Sequence, residues 1–208
     1  MPVVHVTHPL VQHKLSYLRD RSTPTVHFRK LVEEVTLLLT YEATKDLPTE
    51  DVEIETPLER APVPRISGKK VAVCPILRAG LGMLDGVLTL ISGARVGFIG
   101  LYRDEATLMP VEYYVKLPAD VADRDVILLD PMLATGNSTA SAIKTVRDAG
   151  ATSVRLIAII AAPEGIANIE SQQPDVQIVV AAIDRGLNER GFIVPGLGDA
   201  GDRLYGTK

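Results

Sequence analysis

The chain has 208 residues, 46% of them hydrophobic and 23% charged, the balance of a soluble globular protein large enough for one sizeable core and too short to require two. Its formal net charge of −4 argues against non-specific binding to nucleic acid or anionic membranes, while leaving room for a locally basic pocket. One cysteine excludes an internal disulfide, no apolar stretch approaches a membrane span, and the first residues lack a signal-like pattern, so a single domain over 1–208 in the cytoplasm is expected.

Residues 10–18 read as a short first helix, with Leu10, Val11, Leu15 and Leu18 sharing a mixed stripe with Lys14. His5, His8, His13 and His27 all fall near the N-terminus, but no cysteine accompanies them and their spacing matches no zinc signature. A longer helix is expected over 23–44, with Thr25 as its N-cap and Phe28, Leu31, Val32, Val35, Leu38 and Leu39 on one face. Arg29 and Lys30 lie early in it, where the helix dipole disfavours cations; a ligand, a partner or plain solvation would account for them. Residues 46–64 change texture. Alternation in Val52-Glu-Ile-Glu-Thr56 among Pro48, Pro57, Pro62 and Pro64 predicts a small edge strand or a protruding arm, with 52–63 the candidate contact for a second subunit.

Val71-Ala-Val-Cys-Pro-Ile-Leu77 is an apolar run suited to a buried parallel strand, and Cys74 within it reads as a packing thiol. Arg78-Ala-Gly-Leu-Gly82 follows at once, then a helix over 81–91. An arginine at the carboxyl end of such a strand faces the crevice that open α/β sheets use for ligands, and its planar fork suits phosphate oxygens. Read alone, Arg78 is equally a surface charge. Gly80 permits close backbone approach. A third strand over 94–101 ends in Tyr102-Arg-Asp-Glu105, and 108–117 reads as a hairpin return able to close over a ligand as a lid. Arg103 is the second cationic candidate; Asp104 and Glu105 read as turn carboxylates or as partners behind it.

After a polar connection at 118–125, Val126-Ile-Leu-Leu129 forms another buried strand, and from Asn137 small and apolar residues return at helical spacing until Gly150 stops them. Between strand and helix, Thr135, Gly136, Ser138 and Thr139 offer hydroxyls and a permissive backbone beside a helix N-terminus, where free N–H groups attract phosphate. Asp130 would repel a bare phosphate, so the expected ligand brings Mg²⁺ or sugar hydroxyls to it. The same residues also fit a plain turn and helix cap. No lysine follows the glycine, which excludes a nucleoside-triphosphatase loop, and three spaced glycines are lacking for a dinucleotide fingerprint. Strands over 153–161 and 176–182, with a short helix from Pro163 to about residue 170 between them, complete an alternation that sets the class as α/β. The tail, 191–206, is too glycine-rich for a packed strand, yet Phe192, Ile193, Val194, Leu197 and Leu204 argue against a disordered end. An ordered loop that reads a small planar base by its edge fits better.

Leu129-Asp-Pro-Met-Leu-Ala-Thr-Gly-Asn-Ser138 resembles the phosphoribosyl diphosphate loop of the uracil phosphoribosyltransferases. Ile76-Leu-Arg-Ala-Gly80 resembles their diphosphate loop, Tyr102-Arg103 matches residues that contact the same donor, and the tail resembles their uracil-binding hood. These motifs stand in the family's order, and the likeness runs from about residue 19 to the C-terminus. It implies a type I phosphoribosyltransferase-like fold, a central mostly parallel sheet flanked by helices, with a C-terminal base-binding hood and a protruding β-arm. The resemblance assigns Arg78 and Arg103 to the leaving diphosphate and Asp130 to the ribose hydroxyls. Pro131, Met132, Leu133, Ala134, Thr135, Gly136, Asn137 and Ser138 would surround the donor, those from Ala134 onward its 5-phosphate. Uracil would lie against Ile193, Gly198, Asp199 and Ala200, with Asp199 also near the ribosyl group. Many type I members carry two adjacent acidic residues where this chain has Asp130-Pro131, and the proline is usual in the uracil branch.

The implied reaction converts uracil and 5-phospho-α-D-ribose 1-diphosphate to UMP and diphosphate in pyrimidine salvage. Mg²⁺ would arrive on the diphosphate, not in a resident metal site. A homodimer or higher homo-oligomer is implied and, in some members, activation by GTP, for which the sequence identifies no residue. A phosphoribosyltransferase for another base, or a regulatory relative binding the same ligands, is the nearest rival.

Overall fold

The computed structural model describes residues 3–68, 71–103 and 110–207, with Arg103 as backbone alone. In chain order come β1 (Val4–His5), α1 (Pro9–Arg19), α2 (Thr25–Ala43), β2 (Thr49–Glu55), β3 (Arg60–Ile66), β4 (Val71–Leu77), a 3-10 segment (Ala79–Met83), α3 (Leu84–Leu90), β5 (Arg95–Val96), β6 (Phe98–Arg103) and β7 (Pro110–Lys116). There follow β8 (Asp125–Leu129), β9 (Met132–Leu133), α4 (Asn137–Asp148), β10 (Ser153–Ala161), α5 (Pro163–Gln172), β11 (Gln177–Ile183), β12 (Gly186–Leu187), β13 (Ile193–Val194) and α6 (Ala200–Tyr205).

Among the described residues the main sheet runs β1-β11-β10-β8-β4-β6-β7, parallel throughout except for the antiparallel β6–β7 pair. Both faces are covered, which is why its strands read as continuous apolar runs. Alternate residues serve opposite cores. Val71, Val73, Ile127, Leu129, Ile157 and Ile159 pack with Val11, Leu15 and Leu18 of α1 and with Phe28, Val32, Val35 and Leu39 of α2. Ala72, Cys74, Val126, Leu128, Leu156 and Ala158 pack with Ala142, Ile143 and Val146 of α4 and with Ile166 and Ile169 of α5. From β4 the chain continues through α3 to β6 on one side, whereas from β8 it continues through α4 to β10 on the other. Adjacent strands whose connections diverge leave a crevice at their carboxyl ends, and that switch point lies between Leu77 and Asp130.

Several local expectations are revised. The arm is not an edge strand of the main sheet: β2 and β3 pair with each other as a separate ribbon, with Pro62 opposite Glu53 and Pro64 opposite Asp51. Prolines cannot donate to a ladder, which confines β3 to such an edge. Thr25 is the first helical residue and not the N-cap, because extended Pro24 supplies the carbonyl that accepts from Phe28 N at 2.9 Å. The helix after β4 opens as a 3-10 segment. The tail is not loop throughout, since Asp199 caps α6 by accepting from Asp202 N at 2.9 Å and Gly206, at φ +67°, ends it. Arg29 is exposed, as solvation allows, and its Nε also donates to Leu204 O at 2.5 Å, tying α2 to α6. The β6–β7 hairpin is present, while its tip, with Asp104 and Glu105, lies outside the described residues, as do Lys69 and Lys70. No described helix is long and apolar enough to cross a membrane.

Candidate active site

The carboxyl ends of β4 and β8 open into a cleft of about 330 Å³. Arg78 and Ala79 line one side, Asp130, Pro131, Met132, Ala134, Thr135, Gly136 and Ser138 the floor, and Arg190, Phe192, Ile193, Gly198 and Asp199 the other side. Three segments far apart in the chain therefore meet at the switch point.

Asp130 follows the last residue of β8, so strand geometry delivers it to the cleft. Its carboxylate accepts from Met132 N at 3.3 Å and from the Thr139 hydroxyl at 3.0 Å. Burial pushes its pKa from the ordinary 3.8 to about 6, against the lowering effect of these two hydrogen bonds. Thr139 lines the cleft as well but is almost fully buried, and its hydroxyl donates to Asp130.

The loop from Asp130 to α4 is braced by pairing of β9 with β10 and by Asn168 of α5. The Asn168 amide donates to Thr135 O at 2.8 Å and to Asn137 Oδ1 at 2.9 Å. Gly136, at φ +81°, occupies the N-cap of α4 in the left-handed conformation that a glycine tolerates, and the one side-chain contact to that end is a long one, Asn137 N to the Thr135 hydroxyl at 3.5 Å. The first-turn N–H groups of a twelve-residue helix are left facing the loop, the arrangement that favours an anion.

After β4 the Leu77–Arg78 peptide is cis, and the Arg78 side chain is exposed at the cleft. Gly80 serves packing more than ligand approach. A Cβ there would stand 2.3 Å from Leu129 O, so only glycine lets the turn after β4 lie against the end of β8. Across the cleft, β13 pairs antiparallel with β12, which places Ile193 against the core at 8% exposure with Gly198 and Asp199 beyond it.

Not every sequence candidate presents its side chain to the cleft. Leu133 is fully buried in the core, Asn137 turns to Asn168, and Ala200 is 1% exposed inside α6. The Arg103 side chain lies outside the described residues. The Asp199 carboxylate caps α6 while bordering the cleft. Arg190, Phe192 and Ala79 are cleft residues that the sequence reading passes over. Arg190 had a signal available, a cation directly before the glycine that opens the tail.

A uracil phosphoribosyltransferase family model matches residues 4–207. Uracil phosphoribosyltransferase from Bacillus thuringiensis (strain Al Hakam) is 59% identical over 201 residues, covering 97% of this chain and 96% of the relative. The solved structure of AQ2163 protein from Aquifex aeolicus superimposes with a TM-score of 0.95 at 39% identity, over 100% of this chain and 99% of that one. A hypoxanthine-guanine phosphoribosyltransferase from Bacillus anthracis, at 11% identity and a TM-score of 0.52 over 77% of this chain and 80% of its own, shares the fold alone.

Proposed function

The chain belongs to the uracil phosphoribosyltransferase family, and we propose how its cleft converts uracil and 5-phospho-α-D-ribose 1-diphosphate to UMP and diphosphate. The observation that carries the assignment is the convergence of Arg78, the 130–138 loop and the 193–199 segment on one cleft. The 5-phosphate sits at the N-terminus of α4, against the backbone of 134–138. From there the ribose hydroxyls reach the Asp130 carboxylate. The diphosphate extends toward Arg78, with Arg103 as its second cation, and uracil lies against Ile193 and the backbone of Gly198, Asp199 and Ala200.

As the bond from C1 to diphosphate lengthens, positive charge develops on the sugar. Ionised Asp130 holds the hydroxyls and offsets part of that charge, while the arginines stabilise the departing diphosphate. The incoming pyrimidine nitrogen attacks C1, and backbone donors at 198–200 stabilise charge on the uracil oxygens. Fixed donors and acceptors also reject cytosine, whose amino group would leave buried polar atoms unpaired. No covalent nucleophile is assigned.

Mg²⁺ belongs to this reading as a passenger on the diphosphate. Among the described residues no group of three His, Cys, Asp or Glu side chains stands ready for a metal, and a hydrated Mg²⁺ held by substrate phosphates needs none. Bound there, it neutralises diphosphate charge. The remaining expectations are a single domain, a cytoplasmic setting, self-association through the β2–β3 arm and stimulation by GTP; sedimentation of an arm deletion and rates with and without GTP address the last two.

Diphosphate release from the donor, assayed in parallel with uracil, cytosine, hypoxanthine and orotate, tests the central reading. Turnover with uracil is expected. Turnover with another base and none with uracil refutes it.

A further inference from the structure

We propose that Arg19 and Asp184, neither of which lines the cleft, form a clamp that positions the base-binding segment for uracil. The proposal rests on the base-site reading above.

Asp184 follows the last residue of β11 and is 7% exposed. A carboxylate that deep must be fully partnered. Arg19, the last residue of α1, donates from Nη1 to Asp184 Oδ2 at 2.9 Å and from Nη2 to Asp184 Oδ1 at 2.5 Å, a two-point fork. Both groups also reach the same residue of the tail. Arg19 Nη1 donates to Gly196 O at 2.8 Å, and Gly196 N donates to Asp184 Oδ2 at 2.8 Å. The ion pair therefore satisfies the backbone donor and the backbone acceptor of Gly196 together.

Gly196 is the pivot of the base-binding segment. Its φ is +68°, and a Cβ there would stand 2.2 Å from Ile193 O. That turn sets the direction in which the chain leaves Ile193 and arrives at Gly198 and Asp199. On its far side Leu197 O accepts from Arg203 Nη1 at 2.8 Å, and the same guanidinium reaches back to Asp20 O at 2.6 Å. Residues 19 and 20, at the end of α1, thus grip the turn from two sides. The phosphate loop is braced by other residues, β10 and Asn168. A fault in the clamp should shift the base contacts and spare the donor contacts.

Arg19 and Asp184 are positioning residues, so the informative readout is a split between Michaelis constants. In the full chain, Arg19→Met keeps the apolar stem and removes the donors, while Arg19→Lys keeps the charge and loses the fork. Initial rates of diphosphate release, varying uracil at saturating donor and then the reverse, are expected to show KM for uracil raised about tenfold or more in Arg19→Met, as backbone displacements near 1 Å do. KM for the donor stays within about twofold of wild type by the same geometric separation. Arg19→Lys should lie between wild type and Arg19→Met for uracil alone. An unchanged uracil KM in Arg19→Met, or equal rises for both substrates, overturns the clamp. If Arg19→Met does not fold, Arg19→Lys decides by the same criterion: a rise for uracil alone supports the clamp, and no rise or equal rises reject it. Wild-type protein that releases no diphosphate with uracil refutes the underlying base-site reading, an outcome distinct from an active wild type with an unshifted variant.

Discussion

The Tyr205 hydroxyl donates to the main-chain carbonyl of Arg78 at 3.0 Å, so the last helix of the chain supports the cationic turn after β4. Helix α6 begins beside Asp199, which borders the cleft, and ends at this contact with the Arg78 turn, which borders it too. Tyr205→Phe removes one hydrogen bond, worth about 1 kcal/mol net, and water can replace part of it at this exposed site. A rise of about two- to fivefold in KM for the donor is expected, with uracil affected less. Donor titrations at fixed uracil check it.

If Asp130 acts as proposed, the reaction should be pH-dependent. Its folded pKa of about 6 exceeds the ordinary 3.8, so the folded chain holds the proton more tightly than the unfolded chain. Stability from this group is complete below about pH 4 and is lost as the pH rises through about 6. Asp130→Asn should therefore be more stable than wild type at pH 8 by about 1–2 kcal/mol and indistinguishable at pH 4, measured by urea unfolding. On the proposed reading catalysis runs the other way, because an Asp130 that holds ribose hydroxyls acts in its ionised form. kcat/KM for the donor should fall on the acid side of about pH 6 in wild type, and Asp130→Asn should show low activity without that limb.

Asn168 lies outside the cleft lining and braces the 130–138 loop through Thr135 O and Asn137 Oδ1. Asn168→Ala removes a donor from partly buried Thr135 O, and from Asn137 Oδ1, which water can reach, at a cost of about 1–2 kcal/mol. Calorimetric titration should show donor affinity down about tenfold, with KM for uracil nearly unchanged.

The contrast between Gly80 and Gly93 tests the packing at the switch point. A Cβ on Gly80 would meet Leu129 O at 2.3 Å, whereas one on Gly93 meets nothing within 4 Å. Backbone against backbone cannot yield cheaply, so Gly80→Ala should cost about 1–3 kcal/mol in urea unfolding and disturb Arg78 and Asp130 together. Gly93→Ala should be neutral or slightly stabilising.

Cys74 is fully buried between Val73 and Pro75, and burial pushes its thiol up to about 12. It should resist a disulfide reagent at pH 8 in the native protein and react fully in denaturant, which a colorimetric thiol assay reads directly.

Much of this protein was legible in its sequence. The four buried strands β4, β8, β10 and β11 announced themselves as apolar runs because helices cover both faces of the sheet. Arg78, Asp130 and the 134–138 loop stood out because a strand end followed by a small-residue turn is a local pattern. The features missed were those without one. Strand β1 is two residues long and exists only by pairing with Val179 and Val180. Helix α6 is six residues amid glycines, held by its Asp199 cap and by Arg29 from α2.

What the sequence determined by itself was chemistry at short range: which turn offers N–H groups to a phosphate, where a carboxylate and cations stand, and which tail is too apolar to be free. What only the tertiary structure decided was which of those groups are already occupied. Thr139 answers to Asp130, Gly80 to Leu129, and Arg19 to an aspartate 165 positions away. Such pairings depend on strands brought side by side by the order of the sheet, and hydrogen-bond partners across that distance leave no periodicity along the chain.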